Sequence, residues 1–155
     1  MSASLDEPAR QAAVPTVGSP NSTNGIEASM RVVSLTFASL AALMHVYIFW
    51  MESLRWEHAA TRRVFGTTPE QAATTRQLAF NQGFYNLFLA IAAGAGVVLF
   101  WWPVVSATLL IVALGSMVLA ALVLVANDRG RARAALVQGL FPSLGLVFLA
   151  LSASS

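Results

Sequence analysis

The chain has 155 residues, of which 57% are hydrophobic and 10% charged, with a formal net charge of +2 and a mean hydropathy of +0.67. Soluble domains carry about a quarter charged residues, so this composition excludes a soluble globular fold and points to a membrane protein. The sequence pI near 9.9 does not signal nucleic acid as a partner, because the arginines sit in short stretches beside apolar runs and not along one extended face. Cysteine and lysine are both absent, which excludes disulfides, thiolate metal sites, cysteine nucleophiles and lysine Schiff bases.

Residues 1–29 are rich in Pro, Ser, Ala, Asn and Gly and carry no hydrophobic period. They bury too little to offset chain entropy and are expected to form a disordered tail. Four apolar runs follow, at about residues 30–51, 78–101, 104–126 and 134–151. Each has close to the ~20 residues that a helix needs to cross the hydrocarbon core. Each must be a helix, since backbone amides find no water in lipid and four such runs cannot close a barrel. The expected fold is all-α: a polytopic membrane protein of four transmembrane helices packed as an up-down bundle over residues 30–152. The bilayer is its surrounding partner, and a homo-oligomer is compatible with it.

Between the first two runs lie Arg55, Arg62, Arg63 and Arg76, and between the last two Arg129, Arg131 and Arg133. With four spans those two connections share one face, which the positive-inside rule makes cytoplasmic. The expected location is the plasma (inner) membrane, multi-pass, with both termini extracytoplasmic. Trp101 and Trp102 then lie at the outer interface, and Trp50 and Trp56 at the inner one. Within the first connection Gly66 ends a helix, and Thr68-Pro69-Glu70-Gln71 has the pattern of a capping box with proline at the first helical position. The second long helix therefore starts near Pro69, two or three turns before the membrane. Ala90 with Gly94, and Gly139 with Ser143, offer small residues at helical spacing for close packing.

Polar side chains in the spans gather towards the cytoplasmic side: His45, Tyr47, Glu52 and Arg55 on the first helix, Asn81, Gln82, Tyr85 and Asn86 on the second, Asn127 and Asp128 ending the third, and Gln138 on the fourth. His45 and Glu52 are two turns apart on one face, and the pairs Asn81/Tyr85 and Gln82/Asn86 each stand one turn apart. Their economical arrangement is a polar pocket between the first two helices, open to the cytoplasm. Candidate pocket residues are His45, Glu52, Asn81, Gln82, Tyr85, Asn86 and Gln138. The plainer roles are also available: His45 as a hydrogen-bonded bridge between helices, and Glu52 as partner of Arg55 one turn away. No metal is called for, since His45, Glu52, Glu57 and His58 lie at different levels. No cofactor is called for either, because phosphate loops, serine elbows and dinucleotide glycine fingerprints are missing.

The strings His45-Val46-Tyr47-Ile48-Phe49-Trp50-Met51-Glu52, Val64-Phe65-Gly66, Asn81-Gln82-Gly83-Phe84-Tyr85-Asn86 and Gln138-Gly139 with Pro142 together resemble the domain-of-unknown-function 1304 (DUF1304) family of small membrane proteins. The resemblance covers about residues 30–152 and implies a four-helix integral membrane protein without an assigned activity. Three functions stay open: binding or processing of a small lipophilic molecule in the pocket, transport by a four-helix carrier, and a structural subunit without a ligand. Transport is the weaker fit, as Glu52 stands at the interface and not in mid-membrane.

Overall fold

The computed structural model describes residues 20–154, with side chains described from residue 24. Helix α1, Pro20–Phe49, continues directly into a π-turn, Trp50–Leu54. A short α2, Ala59–Phe65, leads to α3, Pro69–Val98, then α4, Pro103–Asn127, a tight 3-10 turn, Arg129–Arg131, and α5, Ala132–Ser154. No strand occurs among the described residues.

Each boundary has a local cause. Gly66 closes α2 with φ 67°, a left-handed conformation that costs glycine little, and its N–H bonds the Arg62 carbonyl. At the start of α3 the Thr68 hydroxyl accepts from Gln71 N at 3.2 Å, while Thr68 N donates to the Gln71 side chain at 3.0 Å. That reciprocal cap, with Pro69 in the first turn, is the one expected from the sequence. Pro103 opens α4, and the Asp128 carboxylate takes the Gly130 N–H at 2.9 Å to cap the turn before α5.

Helix α1 starts ten residues earlier than Met30, so residues 20–29, expected in the tail, are helical. Once an anchored helix exists, adding further turns costs little, whereas starting one costs much. Residues 1–19 of the expected tail lie outside the described residues.

The four long helices form a ring: α1 packs on α3 and α5, and α4 packs on α3 and α5, with little contact between α1 and α4. Helices α1 and α3 run antiparallel, since Ser53 meets Phe80 at one end and Arg31 meets Phe100 at the other. The core is built of small and aliphatic side chains, Ala38, Ala41, Ala93, Leu110, Ala113, Leu114 and Met117. On α1 the buried positions Ser34, Ala38, Ala41 and His45 recur every three or four residues, one seam of the helix.

Glycines and buried hydroxyls set the helix spacings. A Cβ on Gly145 would stand 2.9 Å from Leu114 Cδ1 and 3.5 Å from Ala38 N, and the Ser34 hydroxyl donates to the Gly145 carbonyl at 2.8 Å. On α3, a Cβ on Gly96 would stand 2.9 Å from Leu110 Cγ, and Ser106 donates to the Gly96 carbonyl at 2.7 Å. Between α5 and α4, a Cβ on Gly139 would stand 3.0 Å from Ala121 Cβ. Such close approach, with interhelical hydrogen bonds, holds helices together where the exterior is as apolar as the core. Of the small-residue pairs expected from the sequence, Ala90 and Gly139 are packed, whereas Gly94 faces open space and Ser143 bonds its own helix.

Three stretches are long and apolar enough to cross a membrane: Asn24–Leu54, Pro103–Asn127 and Arg129–Ser154. They contain the first, third and fourth expected spans. Helix α3 has the length, but Asn81, Gln82, Tyr85 and Asn86 in its middle lower its mean hydropathy. The outward surfaces agree with an apolar surrounding, since Val104, Ile111, Val112, Leu119 and Val123 of α4 are all exposed.

Candidate functional site

The polar end of the ring is organised by the π-turn against α3. A π-turn widens the helix locally and often marks functional positions. Here it buries Met51 and Glu52 together. Asn86 Nδ2 donates to Glu52 Oε2 at 2.8 Å and also to the Gln82 carbonyl at 3.1 Å, so α3 aims its amide at the carboxylate. Ser53 donates to the Phe80 carbonyl at 2.9 Å, six residues back towards the start of α3.

Gly83 makes this contact possible. A Cβ there would collide with Ser53 Oγ and stand 3.1 Å from Ser53 N and 3.2 Å from Glu52 Cβ. The Asn81–Asn86 string thus has a physical reading: glycine admits the π-turn and asparagine holds its carboxylate.

Beyond the turn, the chain from Arg55 to His58 crosses over the start of α3. Trp56 Nε1 donates to the Ala72 carbonyl at 3.1 Å and to Thr75 Oγ1 at 3.2 Å, and its ring meets Phe65 edge-on at 5.0 Å. Trp56 was expected simply as an interfacial ring, and its main structural role is this tether. Between the connection and α3 opens a cleft of about 990 Å³ whose lining includes Glu52, Arg55, Trp56, His58, Arg76 and Phe80. The Arg76 guanidinium is 3.7 Å from Glu57, and Arg55 lies 5.3 Å over the Trp50 ring. Glu52 therefore does not pair with Arg55, as the one-turn spacing suggested; burial turns the carboxylate to α3 and leaves Arg55 outside on Trp50.

The seven expected pocket residues do not converge. Glu52 and Asn86 meet, and of the seven only Glu52 lines the cleft. Asn81 and Tyr85 lie about 200° around α3 from Gly83 at 100° per residue, in an outward groove of about 360 Å³ with Phe80, Phe84 and Phe88. Gln82 is exposed beside Asn86, and Gln138 is half-buried on α5. His45 is fully buried, yet its Nδ1 bonds the Ala41 carbonyl of its own helix at 2.9 Å. It is no bridge between helices. A carbonyl only accepts, so Nδ1 carries a proton, while Nε2 has no hydrogen-bond partner among the described residues.

Arg55, Trp56, His58 and Arg76 were not among the expected pocket residues. The signal available for them was the capped start of α3 at Pro69, which carries Arg76 back alongside the connection. Among the described residues no three His, Asp or Glu side chains gather to hold a metal ion.

Compared with known families, residues 39–150, well over half of the chain, match the model of a family described as a protein of unknown function (DUF1304). No curated protein matches the chain, and no solved structure does.

Proposed function

The chain belongs to the DUF1304 family of proteins of unknown function, and from that premise we propose a plasma-membrane protein of four transmembrane helices whose arginine-rich end receives the polar head of a lipophilic small molecule. Helix α3 is the fourth span in this reading. Its packing between α1 and α4 supports that, as do the apolar exposed side chains Phe88, Ile91 and Val98 on its second half. Arg55, Arg62, Arg63 and Arg76 stand at the same end of the antiparallel helices as Arg129, Arg131 and Arg133. The positive-inside rule turns that end to the cytoplasm and leaves both termini outside.

The observation that carries the ligand reading is the cleft of about 990 Å³, which has a buried carboxylate in its lining and sits where a lipid-borne head would arrive. Ligand sites commonly span about 300–1,000 Å³ and combine apolar walls with few polar groups. Native mass spectrometry of the protein released from its own membranes tests it. A small-molecule adduct is expected on the wild type and absent from Ala73→Trp, which fills the cleft; a wild type that never carries an adduct sinks the proposal.

A second reading, a structural subunit without a ligand, draws on a different observation: Ser34, Ser106 and Asn86 each donate a hydrogen bond to a neighbouring element, Asn86 to the Glu52 carboxylate. Under that reading Ala73→Trp leaves every cellular and binding phenotype unchanged.

A further inference from the structure

Glu52 is 8% exposed and, among the described residues, has no ion-pair partner. Both arginines that line the cleft are engaged elsewhere, Arg76 with Glu57 at 3.7 Å and Arg55 over Trp50 at 5.3 Å. One carboxylate oxygen takes the Asn86 amide at 2.8 Å. Among the described residues the other has no protein donor, and it is not sealed off, because Glu52 lines the cleft. A buried carboxylate without a counter-charge is costly, and a single neutral amide does not balance it.

We infer that the missing counter-charge belongs to the ligand: the cleft takes an acyl-chain amphiphile with a primary ammonium head, whose N–H groups donate to the free oxygen of Glu52. This rests on the cleft being a ligand site. A primary ammonium has three donors and fits an oxygen acceptor, whereas a quaternary one has none. Leu54, Trp56 and Phe80 supply apolar wall for the chain next to the head, and Arg55 and Arg76 stand at the same cleft for a phosphate, if the head carries one. A phosphatidylethanolamine and a free lipophilic amine share this chemistry.

Full-length protein in detergent is titrated with phosphatidylethanolamine, phosphatidylcholine and phosphatidylglycerol of identical acyl chains, and separately with dodecylammonium and dodecanol, and read by native mass spectrometry. Phosphatidylethanolamine is expected to bind about tenfold tighter than phosphatidylcholine or phosphatidylglycerol, and dodecylammonium about tenfold tighter than dodecanol, a factor worth about 1.4 kcal/mol. The preference is expected to vanish in Glu52→Gln, which keeps an acceptor for Asn86. Dodecylammonium bound without phosphatidylethanolamine identifies a free amine as the source; the reverse identifies a membrane lipid. Binding of all probes with equal strength, unchanged in Glu52→Gln, overturns the ammonium inference alone. No binding of any probe overturns the cleft as a ligand site. Should Glu52→Gln fail to fold, the comparison of dodecylammonium with dodecanol on the wild type decides by itself.

Discussion

Asn86 and Glu52, 34 residues apart in sequence, are joined by a 2.8 Å hydrogen bond that ties the π-turn after α1 to the middle of α3. Both side chains are buried, Glu52 at 8% exposure and Asn86 at 7%, so the bond is made where little water competes for it.

Removing the donor is therefore worse than removing the charge. Asn86→Ala is expected to lower stability in detergent by about 2–4 kcal/mol, the range for leaving a buried charged group unsatisfied. Glu52→Gln is expected to cost less than about 1 kcal/mol, because an acceptor remains. Thermal unfolding of the two variants side by side checks the order, and equal losses would refute it.

Glycine substitutions separate packed from open positions. Gly83→Ala forces the π-turn away from α3 and is expected to destabilise by about 1–3 kcal/mol. Gly94→Ala has nothing within 4 Å of the added methyl and is expected to be neutral or to stabilise by up to about 1 kcal/mol. Unfolding midpoints measured in one detergent decide it.

His45→Leu tests the second imidazole nitrogen. Among the described residues its only hydrogen bond is within α1, so an apolar replacement of similar volume is expected to change stability by less than about 1.5 kcal/mol in either direction. A loss well beyond that range would reveal a partner on Nε2 in the membrane-embedded protein.

The charge at the start of α3 gives a pH dependence. Glu70 is fully exposed, and hydrogen bonds from its own backbone N–H and from Thr68 hold its carboxyl below the ordinary 4.5. A lowered carboxyl contributes stability above the unfolded value and loses it as pH falls through the folded one. The first turn of α3 is thus expected to fray as pH drops below about 4.5, read as faster amide exchange at Gln71–Ala73, and Glu70→Gln removes that dependence.

The absence of cysteine makes the proposed orientation easy to examine. Single cysteines at Thr67 and Gly130 are expected to resist a membrane-impermeant maleimide in intact cells, and one at Ser154 to react. The opposite pattern would invert the molecule.

Helix identity was legible because length and hydropathy are local properties, and the Thr68–Gln71 cap was legible because its partners are three residues apart. The candidate site was legible only in part. Spacing along α3 put Asn81, Gln82, Tyr85 and Asn86 in two polar stripes, but which stripe faces inward depends on Gly83, whose missing side chain admits Ser53. The pairing of Glu52 with Asn86 instead of Arg55 was likewise hidden, since it is decided by the π-turn, a feature with no sequence period of its own. A bridge to another helix was one of the two roles expected for His45, and its Nδ1 instead hydrogen-bonds the carbonyl of Ala41, four residues back in its own helix.

At Gly83 the bare backbone of α3 meets Ser53, whose hydroxyl takes the room a Cβ would fill and is held in place by its bond to the Phe80 carbonyl. Two rods held at such a point can pivot about it but cannot slide past each other. The mouth of the cleft, bounded by Ser53 on one rod and Phe80 on the other, can therefore widen only by changing the angle between α1 and α3.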